Sequence, residues 1–325
     1  MSAAAITTTS LPLPLIARGK VRDLYDAGLQ HADVAPEYRD AILFVATDRI
    51  SAFDVILDNG IPEKGPLLHA LSAYWFDLLT PSILPSHLLA TSWDAFPREL
   101  QQALAPVREQ VEGRAMLVKR ARVLPIEAIV RGYITGSAWR EYQRSGTVHG
   151  IAMPAGMQES QAFPEPLFTP STKAEQGEHD ENIHPDKVPG IIGEKLAKAM
   201  SEAALALYKK AAAHAQSRGI ILADTKFEFG VVKGADGAEQ LILVDEVLTP
   251  DSSRFWGEED YKVGTSPSSF DKEFVRSWLK ANNKHNAADT GEKVRLPDDV
   301  ALRTAEKYKE AYARITGRTW QGAAQ

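Results

Sequence analysis

The sequence contains no cysteine. That absence excludes disulfides, thiolate-bound zinc and a cysteine nucleophile, and it fits a cytoplasmic compartment. No apolar run approaches the roughly 20 residues that a bilayer-spanning helix needs. The first 16 residues carry no positive leader, and their short apolar core is broken by Pro12 and Pro14, so no secretory signal is expected. Positive charge is in the minority: 37 Lys and Arg against 43 Asp and Glu leave a net charge of −6. A general nucleic-acid binder needs a basic face, so small molecules are the expected partners. Internal repeats are absent, and His179 and His184 lack the i, i+4 spacing of a helical zinc site. What remains is the make-up of an ordinary soluble protein, 44% hydrophobic and 25% charged. Its 325 residues exceed one core of usual size, so two lobes or one large α/β domain are expected.

The stretch 219–254 carries the densest pattern. After apolar residues 220–223, Asp224, Lys226 and Glu228 alternate with Thr225, Phe227 and Phe229. A strand therefore puts three charges on one face and the apolar set on the other. Gly234, Asp236 and Gly237 supply a turn, and a second strand over 241–244 ends in Asp245-Glu246. Folding about that turn brings Asp245 level with Glu228 to within about a residue. Two carboxylates beside a lysine suit Mg²⁺, which takes oxygen ligands together with substrate phosphates. A half-exposed strand with an ordinary salt bridge has the same appearance.

The rest of the chain supplies further candidates. Arg18, Gly19, Lys20, Val21 and Arg22 form a basic turn between apolar stretches, either a polyphosphate cradle or a solvated turn, and without the GxxxxGK[ST] pattern. Residues 41–47 (AILFVAT) predict a buried strand delivering Asp48-Arg49 at its end. The spacing of Leu67, Leu68, Leu71, Trp75 and Leu79 predicts a helix stopped by Pro81. A strand from 116 reaches Pro125 with Lys119 in mid-run, where a buried ammonium calls for an anionic partner, phosphate or carboxylate. Strand character resumes over 126–130. Arg131 and Ser137 then flank two glycines ahead of a helix over 137–145, with Ser137 as N-cap. Segment 146–170 reads as a surface loop with a short strand. Segment 169–182, holding Lys173, His179 and Asp180, is a polar loop of functional or merely solvated character. An amphipathic helix over 191–217 closes at Gly219. Residues 249–256 predict a turn presenting Arg254, 270–279 a helix with Arg276 on its polar side, 282–292 a hydrophilic loop, and 298–315 a last amphipathic helix packed on the outside.

Seven motifs, GKVRDLY, ATDRISAFD, VRGYITGSAW, STKAEQGEHDE, DTKFEFG, VDEVLTPDSSRFW and DKEFVR, occur in the order found in the SAICAR synthetase family of purine biosynthesis. The chain resembles that family over about residues 15–315, at the length of its yeast-like branch. The resemblance implies an α+β, two-lobed fold, kinase-like or ATP-grasp-like, with antiparallel sheets and an ATP cleft between the lobes. Residues 1–14 would be a disordered tail, 15–122 a nucleotide-binding lobe and 123–325 a lobe for substrate and metal. It also implies an ATP-dependent carboxylate–amine ligase that joins L-aspartate to carboxylated aminoimidazole ribotide (CAIR), giving the succinocarboxamide SAICAR, ADP and phosphate. Such a reaction runs through an acyl phosphate and needs cations and metal but no protein nucleophile.

The resemblance also implies roles for matching residues. Gly19, Lys20, Val21 and Arg22 would cover the ATP phosphates, with Lys119 and Glu127 near the nucleotide. Glu228 and Asp245 would hold Mg²⁺, with Lys226 as the neighbouring phosphate contact. Arg131, Ser137 and Arg254 would grip the ribotide phosphate, with Arg276 as an added cation. Lys173 and Asp180 would arrange CAIR and the aspartate amine. The implied protein is a cytoplasmic monomer with no nucleic-acid or membrane partner. A small-molecule kinase on the same fold is the alternative; it would need a general base for a hydroxyl and no second phosphate grip.

Overall fold

The run AILFVA forms the strand Ala41–Ala46 in a computed structural model that describes residues 5–29, 34–173, 181–234, 237–270 and 272–322. It is the middle strand of a five-stranded antiparallel sheet, ordered Leu15–Arg18, Arg22–Asp26, Ala41–Ala46, Ala115–Lys119 and Leu88–Ala90. The run is continuously apolar because both faces are covered. Leu43 and Val45 pack in one cluster with Phe96, Leu100 and Leu104, while the Phe44 ring meets the edge of His87.

This sheet belongs to the first of two compact units, Met1–Tyr74, His87–Arg120 and Phe270–Gln325; the second is Trp75–Ser86 with Ala121–Ser269. The division differs from the sequence expectation at both ends of the chain. Residues expected in a disordered tail are held by two buried carboxylates. Thr9 donates to Asp23 from its Oγ1 at 2.6 Å, and the amide of Ile6 donates to Asp48 at 2.6 Å. Asp48 also accepts from the amide of Gly65 at 2.8 Å and pairs with Arg114 at 3.3 Å. A buried carboxylate needs such donors, and the 6–9 segment supplies them. At the other end, Phe270–Gln325 belongs to the first unit rather than to the lobe preceding it. The helices Glu273–Ala281 and Asp298–Thr316 place Val275, Leu279, Val300, Ala301 and Ala305 in one core with Ile50, Val55, Leu57 and Ile61. The last helix, expected on the outside, buries Tyr308, Ala311 and Ile315 completely. The expected loop over 282–292 contains a short helix, Ala287–Thr290.

The second unit is built on one long strand, Ile220–Lys233. On one side it pairs with Arg122–Tyr133; on the other it pairs first with Ser253–Gly257 and then with Glu239–Val244, always antiparallel. Ala162–Phe168 and Ser171–Thr172 add to the far side of Arg122–Tyr133. The helix Glu194–Gln216 packs on this sheet through Met200, Ala204, Leu207, Tyr208 and Ala211. Each large apolar side chain buried there contributes about 1.5–3 kcal/mol. Tyr208 donates its hydroxyl to the carbonyl of Leu222 at 2.5 Å. A Cβ at residue 132 would stand 2.0 Å from that hydroxyl, so the position must be Gly132.

Several local expectations are corrected. The single strand expected to run from 116 to Pro125 is two strands in two sheets, Ala115–Lys119 and Arg122–Tyr133. Pro125 lies inside the second, where pairing with the long strand shifts register between Glu228 and Gly230; an irregular ladder tolerates a residue without an N–H. Arg254 stands on the strand Ser253–Gly257 rather than on a turn. Thr135, not Ser137, is the N-cap of the helix Gly136–Ser145. The long amphipathic helix starts only at Glu194, because Gly193 at φ 84 separates it from Val188–Ile192. Among the described residues no helix is long and apolar enough to cross a membrane.

Candidate functional site

Asp224, Lys226 and Glu228 occupy alternate positions of the long strand and so share one face. Each meets a different partner from the neighbouring strands. The first and last lie roughly 13 Å apart along the strand at about 3.3 Å per residue.

At Glu228 the neighbouring strand presents Glu127 as its direct cross-strand partner. Two carboxylates so placed repel each other, and a cation must intervene. Lys226 does so, with Nζ 2.6 Å from Glu127 Oε1 and 3.0 Å from Glu228 Oε1. Lys173 Nζ takes the other oxygen of Glu228 at 2.5 Å, and Ser171 Oγ donates to Glu127 at 3.2 Å. Burial alone would raise the Glu228 carboxyl, but Lys226 and then Lys173 outweigh it and hold it at about 2. Burial would lower the Lys226 ammonium, yet Glu228, Glu127 and Asp245 together hold it well above the ordinary lysine value. Val244 is the cross-strand partner of Glu228, so Asp245 follows one residue beyond, leaving the strand at φ 65. Asp245 thus lies within one residue of level with Glu228, the register expected from the hairpin, and its charge acts on Lys226. Glu127, expected among nucleotide-binding groups, belongs to this cluster.

At Asp224, three adjacent strands place Arg131 and Arg254 as cross-strand partners on either side. Both guanidinium groups donate from Nη1 to the same oxygen, Asp224 Oδ2, each at 2.6 Å. Arg131 also donates from Nε to Thr169 Oγ1 at 3.1 Å and from Nη2 to Ser137 Oγ at 3.2 Å. Arg131, Ser137 and Arg254 are thus brought together as expected. Ser137 is there as an acceptor for Arg131, not as a cap. Two guanidinium groups on one carboxylate leave net positive charge, the chemistry of an anion site. Gly136 makes room for it: at φ 59, a Cβ there would stand 2.5 Å from the guanidinium of Arg254. Burial pulls the Arg131 pKa down and Asp224 opposes that pull.

One carbonyl joins the two clusters. Pro170 lies between Thr169, which accepts from Arg131, and Ser171, which donates to Glu127. The buried His149 meets the Pro170 carbonyl from Nδ1 at 3.0 Å. Burial first, and then the charge of Arg131, lowers its imidazole to about 4, so it is neutral near pH 7. Asp180 and the turn residue Asp236 lie outside the described residues.

The remaining candidates belong to the first unit. Residues 19–22 do form a tight turn between the strands Leu15–Arg18 and Arg22–Asp26, closed by the amide of Gly19 on the carbonyl of Arg22 at 2.7 Å. Lys20 Nζ lies 2.5 Å from Asp54, and Arg22 stacks over the Phe44 ring at 5.0 Å. Lys119 ends its strand opposite Ala41, half-buried, and no carboxylate pairs with it among the described residues. Arg276 lies 3.7 Å from Glu273 one helical turn away. It stands in the first unit, whereas Arg131, Ser137 and Arg254 stand in the second.

Comparison with known proteins places the chain in a family. The family model for SAICAR synthetase matches residues 15–292. The chain belongs to the SAICAR synthetase family. A phosphoribosylaminoimidazole-succinocarboxamide synthase of Schizosaccharomyces pombe is 54% identical over 318 residues, covering 97% of this chain and 99% of its own. One from Methylococcus capsulatus is 52% identical over 305 residues, covering 94% and 95%. The SAICAR synthase of Saccharomyces cerevisiae, solved complexed with SAICAR, superposes with a TM-score of 0.83 at 48% identity, covering 98% of this chain and all of that one. The fold is therefore the α+β fold of SAICAR synthases, with antiparallel sheets. The activity is that of a purine-biosynthesis ligase, and the small-molecule kinase alternative finds no support among these relatives. Sequence reasoning missed Asp224 as the residue that unites the arginines, although its alternation with Lys226 and Glu228 was the available signal. Thr169 carried no such signal.

Proposed function

We propose that this chain joins L-aspartate to the carboxylate of CAIR with ATP as phosphoryl donor, and that the two clusters of the second unit divide the work. The observation that carries the assignment is the placement of Asp224, with Arg131 and Arg254, four residues before Glu228 on one strand face. A ribotide has an anionic phosphate at one end and the reacting carboxylate at the other. Arg131, Arg254 and Ser137 hold the phosphate; the carboxylate then reaches toward Lys226 and Lys173. The S. cerevisiae relative solved with SAICAR supports a ribotide ligand of this kind.

A carboxylate and an amine do not condense unaided, so the γ-phosphoryl group of ATP is first transferred to the CAIR carboxylate. The aspartate amine then displaces phosphate from the acyl phosphate. Both steps concentrate negative charge, and positioned cations lower its cost in the transition state. Lys226 is locked in its charged form and suits this role; Lys173 stands beside it, and Asp180 is assigned to orienting the aspartate amine. The nucleotide phosphates are assigned to the turn at Gly19, Lys20, Val21 and Arg22, with Lys119 as the half-buried cation and Glu127 bracing Lys226. Arg276 supplies a further positive charge for the ribotide.

Glu228 and Asp245 are assigned to Mg²⁺ by the chemistry of their donors, hard oxygen ligands with Glu228 fully ionised at neutral pH; Lys173 or Lys226, which hold the two oxygens of Glu228 here, would release one of them to the ion. When bound, the ion would neutralise charge on the transferring phosphoryl group. The protein is further proposed to act as a cytoplasmic monomer on small molecules alone, in keeping with its net charge of −6. The test mixes protein, Mg-ATP, CAIR and aspartate. ADP release should require both CAIR and aspartate, and release that ignores either one refutes the reading.

A further inference from the structure

Every carbonyl of the turn at residues 19–22 is engaged from one side by the segment that follows the strand Ala41–Ala46. Arg49 donates from Nη2 to the carbonyls of Gly19 at 2.9 Å and Arg22 at 3.1 Å, and from Nε to that of Lys20 at 3.3 Å. Thr47 donates to the carbonyl of Val21 from its amide at 3.0 Å and from Oγ1 at 2.7 Å. In a trans peptide the C=O and the following N–H point in opposite directions. With the carbonyls of Gly19 and Lys20 drawn onto Arg49, the amides of Lys20 and Val21 must face away from it. Among the described residues neither amide donates to a protein acceptor. Two successive outward N–H groups make a concave anion site.

We propose that Arg49 is a positioning residue for nucleotide phosphates. It sets the turn with its amides outward and touches no phosphate itself. Arg49 is 8% exposed, and its guanidinium's other contacts are the carbonyl of the half-buried Thr7 at 2.6 Å and the buried Asp23 at 2.7 Å. The pairing with Asp23, itself fully buried, holds Arg49 in place against the pull of solvent. Glycine at 19 belongs to the same device, because a Cβ there would press on the carbonyl of Arg22 at 3.3 Å. The proposal rests on the ligase reading, in which this turn receives the polyphosphate.

The test uses the full chain and measures ADP and SAICAR affinities separately by titration calorimetry, with thermal unfolding alongside. Arg49→Lys keeps the charge beside Asp23 but offers one nitrogen to five acceptors, so several charge-assisted bonds are lost. The expected result is an ADP Kd raised about tenfold or more, with the SAICAR Kd unchanged within about twofold. A folded Arg49→Lys protein that binds ADP like the wild type overturns the proposal. So does an equal loss of both affinities, which marks a general structural role. If that variant does not fold, Thr47→Val removes the Oγ1 bond to the Val21 carbonyl at 2.7 Å and the longer bond that Oγ1 accepts from the Arg49 amide at 3.4 Å, leaving the Arg49 guanidinium intact. An ADP Kd raised about threefold then supports the proposal, and an unchanged one overturns it. Failure of the wild type to bind ADP at all would count against the ligase reading instead.

Discussion

Glu127 and Glu228 face each other across adjacent strands with the ammonium of Lys226 between them, 2.6 Å from one carboxylate and 3.0 Å from the other. The lysine therefore has two duties, screening a like-charge pair and presenting a permanent cation. The two can be separated. Lys226→Met should lower kcat by roughly 10²–10³-fold and destabilise the fold by about 3–5 kcal/mol, the cost of leaving buried charges unpaired. Adding Glu127→Gln should recover much of the stability and none of the activity. Denaturant unfolding and steady-state kinetics on both variants check this.

The arginine pair makes a different prediction. Arg254→Ala removes one charged donor from the proposed ribotide grip, so the KM for CAIR should rise by about 10- to 100-fold, from the roughly 1.5–3 kcal/mol of a charged hydrogen bond. The KM for ATP should stay close to the wild-type value. An unchanged KM for CAIR would remove Arg254 from the grip.

Gly136 tests the same cluster without altering a charge. Gly136→Ala forces a Cβ toward the Arg254 guanidinium at 2.5 Å and strains a residue at φ 59. Forcing a non-glycine residue there costs about 1–2 kcal/mol. The KM for CAIR should rise in this variant too, and a double variant with Arg254→Ala should be less than additive, because both act on one side chain.

Stability should depend on pH through two buried histidines. Burial, followed by the nearby Arg114 and opposed by the Thr91 carbonyl, lowers His69 to about 4; burial and then Arg131 do the same for His149. Each is neutral in the folded protein, while the unfolded chain takes up protons near the ordinary value of 6.5. The unfolded state thus binds more protons, and stability falls as pH drops from 6.5 toward about 4. The loss is at most about 1.4 kcal/mol per pH unit for each histidine. Urea unfolding at pH 7, 6 and 5 measures the slope, and His149→Asn should make it shallower.

Much of the site was legible because strands write their faces into the sequence with period two. The alternation of Asp224, Lys226 and Glu228 survives folding unchanged, and the hairpin register lands within one residue of the expected one. The turn at residues 19–22 was legible as well, since a glycine between two short apolar stretches marks a break between strands. Arg254 was misread as a turn residue because Pro250 and the polar run before it conceal a short strand that forms by pairing with the long strand, remote in sequence.

By itself the sequence determined most local elements and the charged face of the central strand, which follow from periodicity and from residue types at short range, and it carried the motif order by which the chain resembles its family. Only the tertiary structure decided who stands beside whom. Asp224 receives both arginines, and Glu127 lies opposite Glu228, because strands far apart in the chain become hydrogen-bonded neighbours in one sheet. Residues 6–9 are ordered by the needs of Asp23 and Asp48, and the C-terminal helices join the first unit because their apolar faces match residues 50–61. Cross-strand pairing and burial act between residues close in space, and distance along the chain carries no record of them.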